Sequence, residues 1–122
     1  MLALYEQIRA RGGKLVITVL PQPVQAMDPR FVGPEGVWSR FCAGKEGCAY
    51  VDVIDPLRQA LAPFRDRLAK TNDPAEREKL VTNATNDPNH IYLGDVGGHF
   101  NEHGMRIIGD ALAGGVERVL GR

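Results

Sequence analysis

The run Lys14-Leu15-Val16-Ile17-Thr18-Val19-Leu20 decides the fold class. It is almost continuously apolar and β-branched, the pattern of a strand buried on both faces of a parallel sheet. Upstream, Leu2, Leu4, Tyr5 and Ile8 recur at helical spacing, and Gly12-Gly13 supplies the stop. Downstream, Pro21 and Pro23 end the strand. Helix, glycine pair and buried strand make half of a βαβ unit. The strand that should precede the first helix is missing from this sequence, so the alternating pattern is entered midway.

Further along, residues 21–48 are rich in Pro, Gly and single aromatics and read as a long surface loop, with a short helix near Trp38. Tyr50-Val51-Asp52-Val53-Ile54 alternates and predicts a second short strand. Asp55-Pro56 is a helix start carrying Leu57, Leu61, Phe64 and Leu68, with Pro63 interrupting it. Asp73-Pro74 begins another short helix through Leu80 and Val81. Asn83 to Asn89 is turn-rich, and His90 reads as a turn residue. Ile91-Tyr92-Leu93 reads as a third strand end. Gly94, Gly97 and Gly98 then form a loop, and Asn101 caps a final helix with Glu102 in its first turn. Ile107, Ile108, Ala111, Leu112, Val116, Val119 and Leu120 give that helix its apolar face. The expectation is one α/β domain over residues 1–122, in the order α-β-loop-β-α-(α)-β-α.

A chain of 122 residues suits one domain, burying roughly two-thirds of its unfolded surface. Fifteen basic residues balance fifteen acidic ones, which gives no electrostatic case for nucleic acid or an anionic membrane surface. The apolar runs fall far short of the roughly 20 residues of a membrane helix. Met1 to Glu6 lacks the basic and long apolar segments of a secretory signal. The two cysteines, Cys42 and Cys48, exclude a four-cysteine zinc site. They are either free thiols or a small disulfide loop, and the latter implies an oxidising compartment.

Chemistry is expected at His99, in a glycine-rich loop between a strand end and a helix start, where α/β proteins form their sites. Asp95 upstream could hold the imidazole tautomer and stabilise the imidazolium. An alternative is metal binding. His99-Phe100-Asn101-Glu102-His103 fits H-x-x-E-H, in which His99 and His103 would share a Zn²⁺ with Glu102 as base. Gly97-Gly98 and Gly104 make a poor helix across that motif, and only Asp110 and Glu117 follow as acidic third ligands. Elsewhere the plain readings are structural. His103 is a solvated first-turn residue, Asp52 bonds to loop amides, and Trp38 and Phe41 anchor the long loop. Arg65, Asp66 and Arg67 form a solvated helix face. Cys42 has nothing nearby to lower its pKa and activate it as a nucleophile.

The run Gly94-Asp95-Val96-Gly97-Gly98-His99-Phe100-Asn101-Glu102-His103-Gly104-Met105-Arg106-Ile107-Ile108-Gly109-Asp110-Ala111-Leu112 resembles the last block of the SGNH (GDSL-type) hydrolases. Gly13 to Gln25 resembles that family's late strand ending in Pro, and Tyr50 to Leu57 its following strand and turn. The three blocks stand in the family's order. The resemblance implies the last strands of a three-layer α/β/α sandwich with a parallel, flavodoxin-like sheet. It implies His99 as general base and an acyl ester, such as acetylated carbohydrate, as substrate, without metal or organic cofactor. Asp95 lies four residues before His99 rather than the family's two or three. The family's Gly-Asp-Ser nucleophile block is not in this sequence. Its one serine, Ser39, sits in Val37-Trp38-Ser39-Arg40-Phe41. The chain alone is therefore expected to be inactive, either the C-terminal part of an esterase or O-acyltransferase, or a binding or assembly module keeping part of the fold. As part of a longer protein of this kind it would be periplasmic or secreted. An incomplete sheet also leaves an open edge that invites self-association.

Overall fold

A computed structural model describes residues 1–94 and 97–121, and the backbone alone of Glu35. The chain is mixed α/β and mostly helical. Helix α1 (Leu2–Ala10) leads into strand β1 (Leu15–Ile17). Helices α2 (Pro23–Met27) and α3 (Glu35–Cys42) then precede strand β2 (Cys48–Tyr50). Helices α4 (Ile54–Ala60), α5 (Ala62–Lys70), α6 (Pro74–Thr82) and α7 (Glu102–Leu120) complete the order. The two strands pair in parallel, Leu15 opposite Cys48 and Ile17 opposite Tyr50. The connection between parallel strands must cross over, and the α2–α3 segment provides that crossover.

The expected long loop carries the short helix expected near Trp38, as α3, and a further one, α2. Pro23 starts α2, and Gln22 and Gln25 form a reciprocal cap, with the Gln22 N–H donating to Gln25 Oε1 at 2.8 Å. Arg58 in α4 fastens the segment after it, its Nη2 donating to the carbonyls of Gln25, Asp28 and Phe31. Pro63 breaks the next helical stretch into α4 and α5 as its missing N–H requires. Asp73 caps α6 by accepting from the Ala75 N–H, and Asp52 accepts from the Ile54 N–H.

Two strand expectations are overturned. The second strand, expected over Tyr50 to Ile54, runs Cys48–Tyr50, and Ile54 already belongs to α4. Ile91 to Leu93 does not join the parallel sheet. Its backbone groups are used by the chain just beyond it, Leu93 N–H donating to His99 C=O at 2.8 Å and Asn101 N–H to Ile91 C=O at 3.0 Å. Tyr92 therefore bridges Phe100 in antiparallel sense. An apolar triplet announces burial but not its partner, and here the nearest partner won. Among the described residues the sheet has two strands.

The core joins Val51, Val53, Leu57, Leu61, Ile91, Tyr92 and Ile108, with Val16 packed against it. Alternation along β1 turns Val16 toward this core and Ile17 to the other face, where Ile17, Tyr5 and Cys42 are also buried. Cys42 and Cys48 form a disulfide that ties the end of α3 to β2. Of the two states the sequence leaves open, the disulfide is the one formed. No helix among the described residues is long and apolar enough to cross a membrane.

Candidate functional site

The loop carrying His99 begins and ends on one buried scaffold. Tyr92 is fully buried; its hydroxyl donates to the Pro21 carbonyl at 2.6 Å, and its ring stacks on Phe100 with centroids 4.8 Å apart. Burial pushes the phenol well above its ordinary pKa. Gly98 adopts φ +62° and lies so close to the chain leaving β1 that a Cβ there would stand 2.6 Å from Pro23 Cδ. The loop is therefore held against residues 21–23, at the carboxyl end of β1. The His99 ring folds back over Gly97, where a Cβ would stand 2.6 Å from its Cε1. His99 itself is exposed. Asp95, the expected orienting carboxylate, lies outside the described residues.

Two asparagines secure the loop's feet. Asn101 caps α7 by accepting from Gly104 N–H at 3.0 Å and donates through Nδ2 to the His90 carbonyl at 2.6 Å. Asn83, in the left-handed region at the end of α6, is buried; it accepts from Asp87 N–H and donates to the Tyr92 carbonyl. Asn86 Oδ1 receives Gly94 N–H at 2.8 Å. Gly104 allows α7 to start this close to the loop, since a Cβ there would stand 2.4 Å from the Ile91 carbonyl oxygen.

His90 is the turn residue expected, its N–H donating to the Asp87 carbonyl at 3.1 Å, and it is also a core residue. It is fully buried against Phe64 and Tyr92. Tyr92 N–H donates to its Nδ1 at 3.2 Å, so Nε2 carries the proton and donates to the Leu80 carbonyl at 3.0 Å. Burial lowers its pKa, opposed by the Leu80 bond and the nearby Asp87 carboxylate. Sequence reasoning missed this ring because its neighbours Asp87, Pro88 and Asn89 are turn formers. The apolar triplet directly after it was the available signal.

The zinc geometry is not realised. His99 precedes α7 and His103 lies in its first turn, so the two do not share a helix face. Among the described residues no three His, Cys, Asp or Glu side chains group as metal ligands. Ser39 lies exposed within α3, not at a strand-to-helix turn. Two clefts lined by described residues bear on the site. One, of about 420 Å³, lies beside the loop's feet between Asn83, Tyr92, Leu93, Asn101 and His103. Another, about 800 Å³, lies between α2, α5 and α6.

The fold and the loop define a mixed α/β protein with an exposed imidazole at the carboxyl end of a small parallel sheet. Compared with protein-family models, with curated proteins and with solved structures, the chain finds no match.

Proposed function

We propose that this chain is the C-terminal part of an SGNH-type serine esterase or O-acyltransferase, with His99 as general base and Asp95 as the carboxylate that orients it. Its two strands would be the last of a three-layer α/β/α sheet. The observation that carries the reading is the anchoring of the His99 loop on Pro21 and Pro23, through Tyr92 and Gly98. Loops outside the carboxyl ends of parallel strands are where such folds place reacting groups. The order of the three sequence blocks supports it as well.

In this reading a serine hydroxyl from outside these residues gives its proton to the His99 imidazole as its oxygen attacks the acyl carbon. The leaving alkoxide later takes that proton. The substrate is an acyl ester, with acetylated carbohydrate the class the resemblance suggests. The test is p-nitrophenyl acetate turnover by this chain and by a version extended upstream through an in-frame Gly-Asp-Ser. The extended protein should turn over and the short one should not. His99→Ala should lower the extended protein's kcat by about a thousandfold. Equal rates with and without His99 would refute the assignment.

A second reading, a non-catalytic binding or assembly module, is favoured by the exposed setting of His99 and the helical setting of Ser39. An upstream region without a Gly-Asp-Ser block would select it.

A further inference from the structure

The cleft between α2, α5 and α6 lies apart from the His99 loop, at the edge of the core. It opens where three helix faces meet: Val24 and Met27 on α2, Arg65 and Leu68 on α5, Arg77 and Val81 on α6. Each pair is three or four residues apart, so each lies on one side of its helix. Val24, Met27, Leu68 and Val81 make an apolar lining, and Met27 is almost wholly buried beneath it. At about 800 Å³ the cleft is within the range of small-molecule sites, roughly 300–1,000 Å³.

Its charges are unevenly used. Arg30 and Asp28 are spent on each other, joined at 3.1 and 3.0 Å. Arg77 donates through Nη1 to the carbonyls of Leu68 and Thr71 at 2.9 Å, which fixes the guanidinium without neutralising it. Arg65 Nε is enclosed and has no hydrogen-bond partner among the described residues. That enclosure holds the Arg65 stem in place at the cleft wall, and the fork of a guanidinium is the group that fits a carboxylate. Three guanidiniums face two carboxylates in the lining, Asp28 and Asp66, leaving one net positive charge.

We infer that this cleft binds a singly charged amphiphilic carboxylate, such as a medium-chain fatty acid, with the head group on Arg65 and Arg77 and the chain along Val24, Met27, Leu68 and Val81. The apolar lining supplies affinity for the chain, and the guanidiniums fix its end. One net positive charge matches a monoanion better than the dianion of a phosphate monoester. The inference is independent of the role given to His99.

The probe is sodium decanoate below its micelle concentration, titrated against the chain by calorimetry and by methyl shifts of Val24, Met27, Leu68 and Val81. Decanoate should bind and move those methyls. Decanol and acetate should each bind at least about tenfold more weakly, since each lacks one half of the match. Arg65→Met keeps the stem and removes the fork; it should weaken decanoate about tenfold and leave decanol unchanged. Methyl spectra of this variant like those of the parent would show an intact fold, and Arg77→Met provides a second, independent removal of charge. His99→Ala should leave decanoate binding unchanged. Absence of binding, decanol as strong as decanoate, decyl phosphate stronger than decanoate, or full affinity in both arginine variants would each overturn the inference.

Discussion

His90 shows how one side chain couples the core to solution conditions. Its ring fills space between Phe64 and Tyr92, and both nitrogens are engaged in the neutral form. Protonating Nδ1 would set a donor against the Tyr92 N–H and put a charge in an apolar enclosure. The folded-state pKa is therefore below the ordinary 6.5. As pH falls below about 6.5, the unfolded chain takes up a proton at His90 that the folded chain resists. Stability at this site is complete above that value and declines as pH falls toward the folded-state pKa, below which it changes no further. Urea unfolding between pH 7.5 and 5 should show the loss, and His90→Gln, which does not titrate, should flatten the slope even if it lowers stability throughout. An unchanged slope would mean that the acid sensitivity arises elsewhere. The turn formers before His90 hide its burial from a local reading, because that burial is imposed by α5 and α6 folding over the turn, and only the apolar triplet after it hints at it.

At the scale of elements, local chemistry in the sequence was legible where a residue acts on its own neighbours. Asp73-Pro74, Pro63 and Asn101-Glu102 each specify a cap or a break within one helical turn, and α5, α6 and α7 begin as they dictate. The strand from Lys14 to Leu20 shrinks to Leu15–Ile17, since a strand's length depends on a partner. Ile91 to Leu93 pairs with the chain around Phe100 and not with the sheet for the same reason. Helix α7 packs against the stretch after β2 at Gly115, where a Cβ would stand 2.1 Å from Val51 Cγ2. Val51 is itself nearly fully buried and has nowhere to retreat. Gly115→Ala should therefore destabilise by about 1–3 kcal/mol despite alanine's better helix propensity. Gly109→Ala in the same helix meets open space and should stabilise, by a few tenths to about 1 kcal/mol. Adding Val51→Ala to Gly115→Ala should recover part of the clash but not the lost burial. Chemical denaturation of the four proteins measures each, and equal effects of the two glycine substitutions would show that α7 does not press on Val51.

The whole molecule is governed by how little sheet it has. A parallel ladder alternates its bonding residues, and β1 uses Leu15 N–H toward Gly47 and Ile17 C=O toward Val51 N–H. Val16 therefore directs its own N–H and C=O to the far edge of β1, away from β2. Such an edge accepts another strand. The same geometry has two outcomes: further strands of a larger sheet, as the proposed esterase would require, or a second copy of this chain. In a sample of this chain alone only the copy is available. Its sedimentation coefficient should therefore rise with concentration over about a hundredfold range, and exchange of the Val16 amide should slow in parallel. A version extended upstream should remain monomeric over the same range, with Val16 protected throughout, because the edge is then occupied within one chain. A short chain that stays monomeric with a rapidly exchanging Val16 amide would show that this edge recruits no strand. It would also remove the structural reason for expecting further strands beside β1.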